Sequence, residues 1–157
     1  MDLQPTLVIV CGLPGSGKTT HSRSVANDLR AIRFSPDEWM ESLNINIWDA
    51  DSRGLIEALQ LELAKELLQV GQSVVLEWGT WARIERDALR EEGRDLGAIV
   101  ELHYLDDDID VLWHRIQSRD AESPPIKRED LESWLEVFEA PDDEELALFD
   151  RVYRSSD

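Results

Sequence analysis

Apolar positions along the chain follow two alternating rhythms. The runs TLVIVC (6–11), SVVLEW (73–78) and AIVELHYL (98–105) read as strands. The first two are nearly continuously apolar, the pattern of strands covered on both faces of a parallel sheet. IRF (32–34) adds a shorter strand. Helical spacing fills the intervals at 18–29, 52–70, 83–96 and 109–119, with a further stretch at 128–139. Within 52–70, Leu55, Leu59, Leu63 and Leu67 recur every fourth residue along one face. Gly71 and Gly97 stand where helices end. SPDEW (35–39) opens a helix: Ser35 caps, Pro36 takes the first position and Glu38 completes a capping box. SPPI (123–126) breaks the chain after the 109–119 helix, and the ending ALFDRVYR fits either a helix or a short edge strand. Strands and helices alternating in this way predict an α/β domain with a mainly parallel sheet. A chain of 157 residues suits one such domain spanning 1–157.

Charge narrows the partners. Thirty-four acidic residues against 16 basic ones give −18, which repels a nucleic-acid backbone and makes nucleic acid an unfavoured partner. The acids concentrate in LDDDID (105–110) and APDDEE (140–145), read as a solvated face and a solvated helix start. Cys11 is the single cysteine, which excludes an internal disulfide. No secretory pattern opens the chain, and no apolar run approaches the roughly 18 residues of a membrane span. The expectation is a soluble, cytoplasmic protein without membrane contact. His21, His103 and His114 share no metal-ligand spacing.

Chemistry enters at VIVCGLPGSGKTTHS (8–22). Gly12, Gly17, Lys18 and Thr19 satisfy G-x-x-x-x-G-K-[ST], placed after a strand and before a helix. Such a loop, here Gly12, Leu13, Pro14, Gly15, Ser16, Gly17, Lys18, Thr19 and Thr20, turns successive amide hydrogens toward phosphate oxygens at a helix N-terminus. Lys18 is expected to reach the β and γ phosphates and Thr19 to hold Mg²⁺. Binding of a nucleoside triphosphate, read as ATP, follows. A G-protein would also carry N-K-x-D, which this sequence lacks.

A kinase further needs an acid to accept the acceptor hydroxyl's proton and arginines to stabilise the moving phosphoryl group. Asp37 and Glu38 follow the second strand at the sheet's carboxyl edge, although both acids equally suit a helix's first turn. Arg115 and Arg119 share a helical face, with Arg119 beside the following loop. Glu77 ends a strand where an acid can sit near a metal. Thr80, Arg83 and the tryptophans 39, 48, 78 and 81 fall in or near the loops after the second and third strands. There they either contact an acceptor or only pack. Arg83 and Arg86 on the next helix read mainly as a solvated pair.

These blocks resemble the small P-loop kinases grouped with the bacteriophage polynucleotide kinase domain, chloramphenicol phosphotransferase and zeta-toxin-like proteins, over roughly residues 6–138. GLPGSGKTTHSR is similar to that family's phosphate loop. FSPDEW resembles its strand-end motif, whose first Asp is the catalytic base and falls on Asp37. VVLEWGTWARIER looks like its third block, and LWHRIQSRDAESPPI like its lid segment, with the lid arginine at Arg119. The resemblance implies a three-layer P-loop fold, with helices on both faces of the sheet and a short lid near 115–127. It also implies an ATP- and Mg²⁺-dependent phosphotransferase. Departures bear on the acceptor. Glu77 replaces Asp, Trp78 to Trp81 replace small and polar residues, and Met40 stands where the polynucleotide kinase carries an arginine. The expected acceptor is therefore a hydroxyl on a small molecule, contacted by Asp37, Trp78, Thr80, Trp81 and Arg83, with Glu77 near the metal. Two alternatives are a polynucleotide 5′-hydroxyl kinase and a nucleotide-binding regulatory protein without transfer activity.

Overall fold

The computed structural model describes residues 4–119 and 125–157. Strands β1 (Thr6–Cys11), β2 (Ile32–Phe34), β3 (Val74–Gly79), β4 (Ile99–Tyr104) and β5 (Arg151–Arg154) form one sheet in the order β2-β3-β1-β4-β5. Every neighbouring pair is parallel. The helices are α1 (Lys18–Leu29), α2 (Pro36–Ser42), α3 (Ala50–Gln69), α4 (Arg83–Asp95), α5 (Ile109–Arg119), α6 (Arg128–Val137) and α7 (Asp143–Leu146). The ending ALFDRVYR carries the short edge strand β5, and the one helical turn, α7, lies just before it. Residues 120–124, the centre of the expected lid, lie outside the described residues, as do the first two residues of SPPI.

Side-chain alternation along the strands sorts the core into two faces. Val8, Val10 and Val75 pack with Val25 and Ala26 of α1. Leu7, Ile9, Leu76, Val100 and Leu102 pack with Ala64 and Leu68 of α3 and Leu89 of α4. β1, central and flanked on both faces, is buried at every position.

α3 departs from the leucine stripe in its sequence. Leu55, Leu59 and Leu63 are exposed, while Ile56, Gln60, Ala64 and Leu68 pack inward. The inward stripe is shifted by one residue, so small and polar side chains set the distance between α3 and the sheet. Asp49 caps this helix by accepting from the Ser52 amide, so α3 begins two residues before the expected 52. Ser35 caps α2 as expected, accepting from Glu38 N.

The β1–β3 pairing is in register from Leu7 opposite Val74 to Ile9 opposite Leu76, and then Cys11 faces Gly79. One extra residue in β3 is absorbed at Glu77 and Trp78, a bulge at the sheet's carboxyl edge of the kind that re-aims side chains beside sites. Among the described residues no helix is long and apolar enough to cross a membrane.

Candidate active site

The phosphate loop joins β1 to α1. Gly12 N donates to Gly79 O at 3.1 Å, tying the loop's start to the end of β3. Gly15 and Gly17 adopt φ of +84° and +86°, a region costly for side-chain-bearing residues. A Cβ on Gly15 would lie 2.7 Å from Leu112 O and 2.8 Å from Ile116 Cγ1, so α5 rests directly on the loop. The Ser16 hydroxyl is buried and finds no hydrogen-bond partner among the described residues. An orphaned polar atom, two left-handed glycines and a helix start together form a concavity suited to an anion. The loop therefore fits a nucleotide's phosphates.

Lys18 Nζ donates to Gly12 O at 3.2 Å and Leu13 O at 3.1 Å. Burial pulls its ammonium below the ordinary lysine value; Glu77 and Asp37 pull the other way, and Arg119 adds to the depression. Three residues singled out from distant parts of the sequence thus lie within electrostatic reach of one lysine. Thr19 Oγ1 donates to Glu77 Oε2 at 3.0 Å. The other Glu77 oxygen accepts from Arg33 Nη1 at 2.6 Å, and Arg33 also grips both oxygens of Glu38 at 2.6 Å. This hydrogen bonding from Arg33 is the largest influence holding the Glu38 carboxyl below its usual range. Glu38 is therefore tied up in a Glu77–Arg33–Glu38–Arg23 chain. Asp37 points elsewhere, pairs with Arg53 of α3 and is largely exposed.

Arg115 lies against the loop, donating to Ser16 O at 3.1 Å and to Asp107 at 2.9 Å. Arg119 ends α5, and its charge is felt by Lys18. Thr19 and Glu77 thus set two oxygen donors side by side at the end of the loop, of the kind a divalent cation takes.

The expected acceptor residues disperse. Thr80 is buried at φ +38°, and its hydroxyl donates inward to Val10 O. Trp78 turns to the α3 face, where its indole N–H donates to Gln60 Oε1 at 2.9 Å. Trp81 joins Trp134 and Phe138 under α6, and Trp134 stacks on Trp48. Trp39 meets Phe34 instead. Arg83 faces Asp87, Asp142 and Glu145. Of the two, Arg86 departs most from a solvated pair: it is fully buried, binds Glu145 through two nitrogens at 2.6 and 2.9 Å, and donates to Thr80 O and Glu139 O.

Sequence reasoning overlooked Arg33 and Arg53. Arg33 carried a signal, since a basic residue inside a short strand of a parallel sheet requires an acidic partner. Arg86 carried one as well, because 86, 89, 90 and 93 follow the buried spacing of α4. Arg53 carried none, because its contact with Asp37 depends on how α3 is docked.

A family profile described as AAA domain matches residues 7–141. The chain is 29% identical over 152 residues to a gluconokinase of Gluconobacter oxydans (strain 621H), covering 92% of this chain and 82% of that protein. A kinase candidate from Chloroflexus aurantiacus j-10-fl superposes with a TM-score of 0.75 at 25% identity, covering 96% and 84% of the two chains. Kti12 of Chaetomium thermophilum, solved in complex with ADP-AlF3, gives 0.72 at 19%, covering 94% and 87%.

Proposed function

The chain belongs to the AAA domain family, and on that premise we propose that it is a kinase that moves the γ-phosphoryl group of ATP to a hydroxyl of a small-molecule acceptor. The observation that carries this reading is the set of groups around Lys18, with Glu77, Asp37 and Arg119 all acting on its charge. A loop that only bound nucleotide would need the lysine. It would not need an exposed carboxylate and an arginine within electrostatic reach of that lysine.

Each group then has a task. The Gly12–Thr20 loop and Arg115 hold the phosphates. Lys18 and Arg119 stabilise charge on the group in flight. Asp37 accepts the acceptor hydroxyl's proton, and its ion pair with Arg53 fixes the carboxylate's direction. Mg²⁺, held by Thr19 with Glu77 behind it, would neutralise phosphate charge. Depression of the Lys18 ammonium by burial also sharpens its response to an incoming anion, because a poorly solvated cation gains most from a new partner.

The gluconokinase relative makes a sugar-acid hydroxyl the first acceptor to offer. The test is Mg²⁺-ATP turnover against sugars, sugar acids, nucleosides, aminoglycosides and oligonucleotides. One small-molecule class should raise ADP release well above the acceptor-free rate. Lys18→Ala and Asp37→Asn should each lower transfer by about 10²-fold or more, with circular dichroism unchanged. A wild-type rate in Asp37→Asn removes the base assignment. Turnover only on oligonucleotides, falling steeply with salt, replaces the small-molecule reading.

A further inference from the structure

The acid-rich run LDDDID (105–110) has the composition of a solvated face, yet it borders a cavity of about 400 Å³. That volume lies within the range of small-molecule sites. Most of the lining is apolar: Leu13 of the phosphate loop, Leu105 after β4, Leu112 of α5, Leu135 of α6 and Phe138 just beyond it. Lys18, Thr19, Asp37 and Glu77 are not among the residues that line it. The cavity therefore meets the phosphate loop only from behind, at Leu13.

Asp106, Asp107 and Asp108 supply the polar side of the lining, and they are unequally committed. Asp106 accepts from Arg154, Ser155 and Ser156. Asp107 pairs with Arg115 at 2.9 Å. Asp108, the exposed one of the three, spends Oδ1 on the amides of Asp110 and Val111, both at 3.1 Å. Among the described residues, two arginines thus answer three carboxylates. The charge left over sits on Asp108, beside apolar walls. Such a chamber selects in two ways. Its walls gain by shedding water onto an apolar body. The surplus carboxylate draws in a cation and turns away anions such as phosphates and sugar acids, a preference that the net charge of −18 extends to long range. Phe138 meets Tyr104 in the same lining, with ring centroids 6.1 Å apart, and a flat body packs well against such a pair.

We propose that this cavity is a second ligand site, separate from the phosphate-handling groups, and that it takes a small organic cation. The ammonium lies at Asp108, and an apolar or aromatic body fills the space against Leu13, Leu112 and Phe138. The proposal goes beyond the kinase reading and does not depend on it.

Tryptamine and 4-phenylbutylamine are titrated calorimetrically into the full chain, with indole-3-propionate as the anion of matching shape. At least one amine should bind, and the anion should bind about ten-fold more weakly or worse. Asp108→Asn keeps an oxygen for the two amides at the start of α5. It should weaken amine binding about three-fold at low salt, and the difference should shrink at high salt. Ala140→Trp, at an exposed position of the lining, fills the cavity and should weaken the amine about ten-fold or more. Val137→Ala, exposed on α6 and outside the lining, should bind as the wild type does.

Each titration is repeated at rising concentrations of a non-hydrolysable ATP analogue with Mg²⁺. Amine affinity that levels off once the analogue saturates supports a separate site. Affinity that keeps falling in proportion to the analogue shows competition for the phosphate loop and overturns the proposal. So does failure of both amines to bind, an anion that binds as tightly as the amine, or full affinity in Ala140→Trp. Lys18→Ala separates the two readings: it should abolish phosphoryl transfer and leave amine binding intact, and amine binding lost with it overturns the second site.

Discussion

Arg86→Met should be among the most damaging single substitutions in this chain. The wild-type guanidinium is fully buried, and four oxygen acceptors converge on it: both oxygens of Glu145, Thr80 O and Glu139 O. These belong to the β3–α4 loop, the segment after α6, and α7, so one side chain ties three separate stretches to α4. Methionine fills much of the volume but leaves the Glu145 carboxylate, itself 1% exposed, as an uncompensated buried charge. Loss of one partner of such a pair costs about 3–5 kcal/mol. Against a total of roughly 5–15 kcal/mol for a domain, that is a large share. At roughly 2–4 °C per kcal/mol for a chain of this size, the melting temperature should fall by about 6–20 °C. Urea unfolding followed by tryptophan fluorescence measures the loss directly. Arg86→Met/Glu145→Leu should recover about 2 kcal/mol of it, because removing both charges abolishes the unmet desolvation. A single variant within about 1 kcal/mol of wild type, or a double variant as unstable as the sum of the singles, refutes this account of the buried pair.

Two further outcomes follow from titration and burial. Glu57 has its carboxyl pushed up from 4.5 to about 7 by burial, so the folded chain retains a proton that the unfolded chain releases. Its contribution to stability is fully present below about pH 4.5 and is lost as pH rises through 7; it amounts to no more than about 3 kcal/mol. Glu57→Gln, neutral at every pH, should gain stability over wild type across that window and hold the gain above it, and parallel pH profiles would exclude the effect. Cys11 is buried in β1 with its thiol raised to about 11, chiefly by burial. An aromatic disulfide reagent at pH 8 should therefore label it only as fast as the domain opens, and prompt stoichiometric labelling of the native protein would contradict its placement.

The parts of the molecule legible from sequence share a physical cause. β1, β2, α1 and α5 fall on the boundaries their patterns predict, because apolar runs and the turn residues that bound them are local signals. The phosphate loop was legible because left-handed backbone at Gly15 and Gly17 demands glycine. What remained hidden depends on docking. The outward leucines of α3 satisfy the same four-residue spacing as its inward stripe, and periodicity alone cannot choose between adjacent faces. Trp78 and Trp81 are three apart in the chain yet serve different layers, so counting aromatics near a cleft did not locate an acceptor pocket. Arg86 is a case where helical spacing was informative and residue type misled, since arginine is usually at the surface.

The bulge at Glu77 and Trp78 has a consequence for how this site can diversify. The extra residue and the strand's alternation send the acid toward the phosphate loop and the indole toward α3. Two neighbours in the chain thus answer to different selective pressures. Glu77 is bound to the phosphate-loop side through Thr19 and Arg33, and changes there would disturb the hydrogen bonds that hold that side together. Trp78 and Gln60 can be exchanged together with only the opposite layer responding. Paired substitutions across the α3–β3 seam can therefore accumulate while the phosphate-loop side stays fixed.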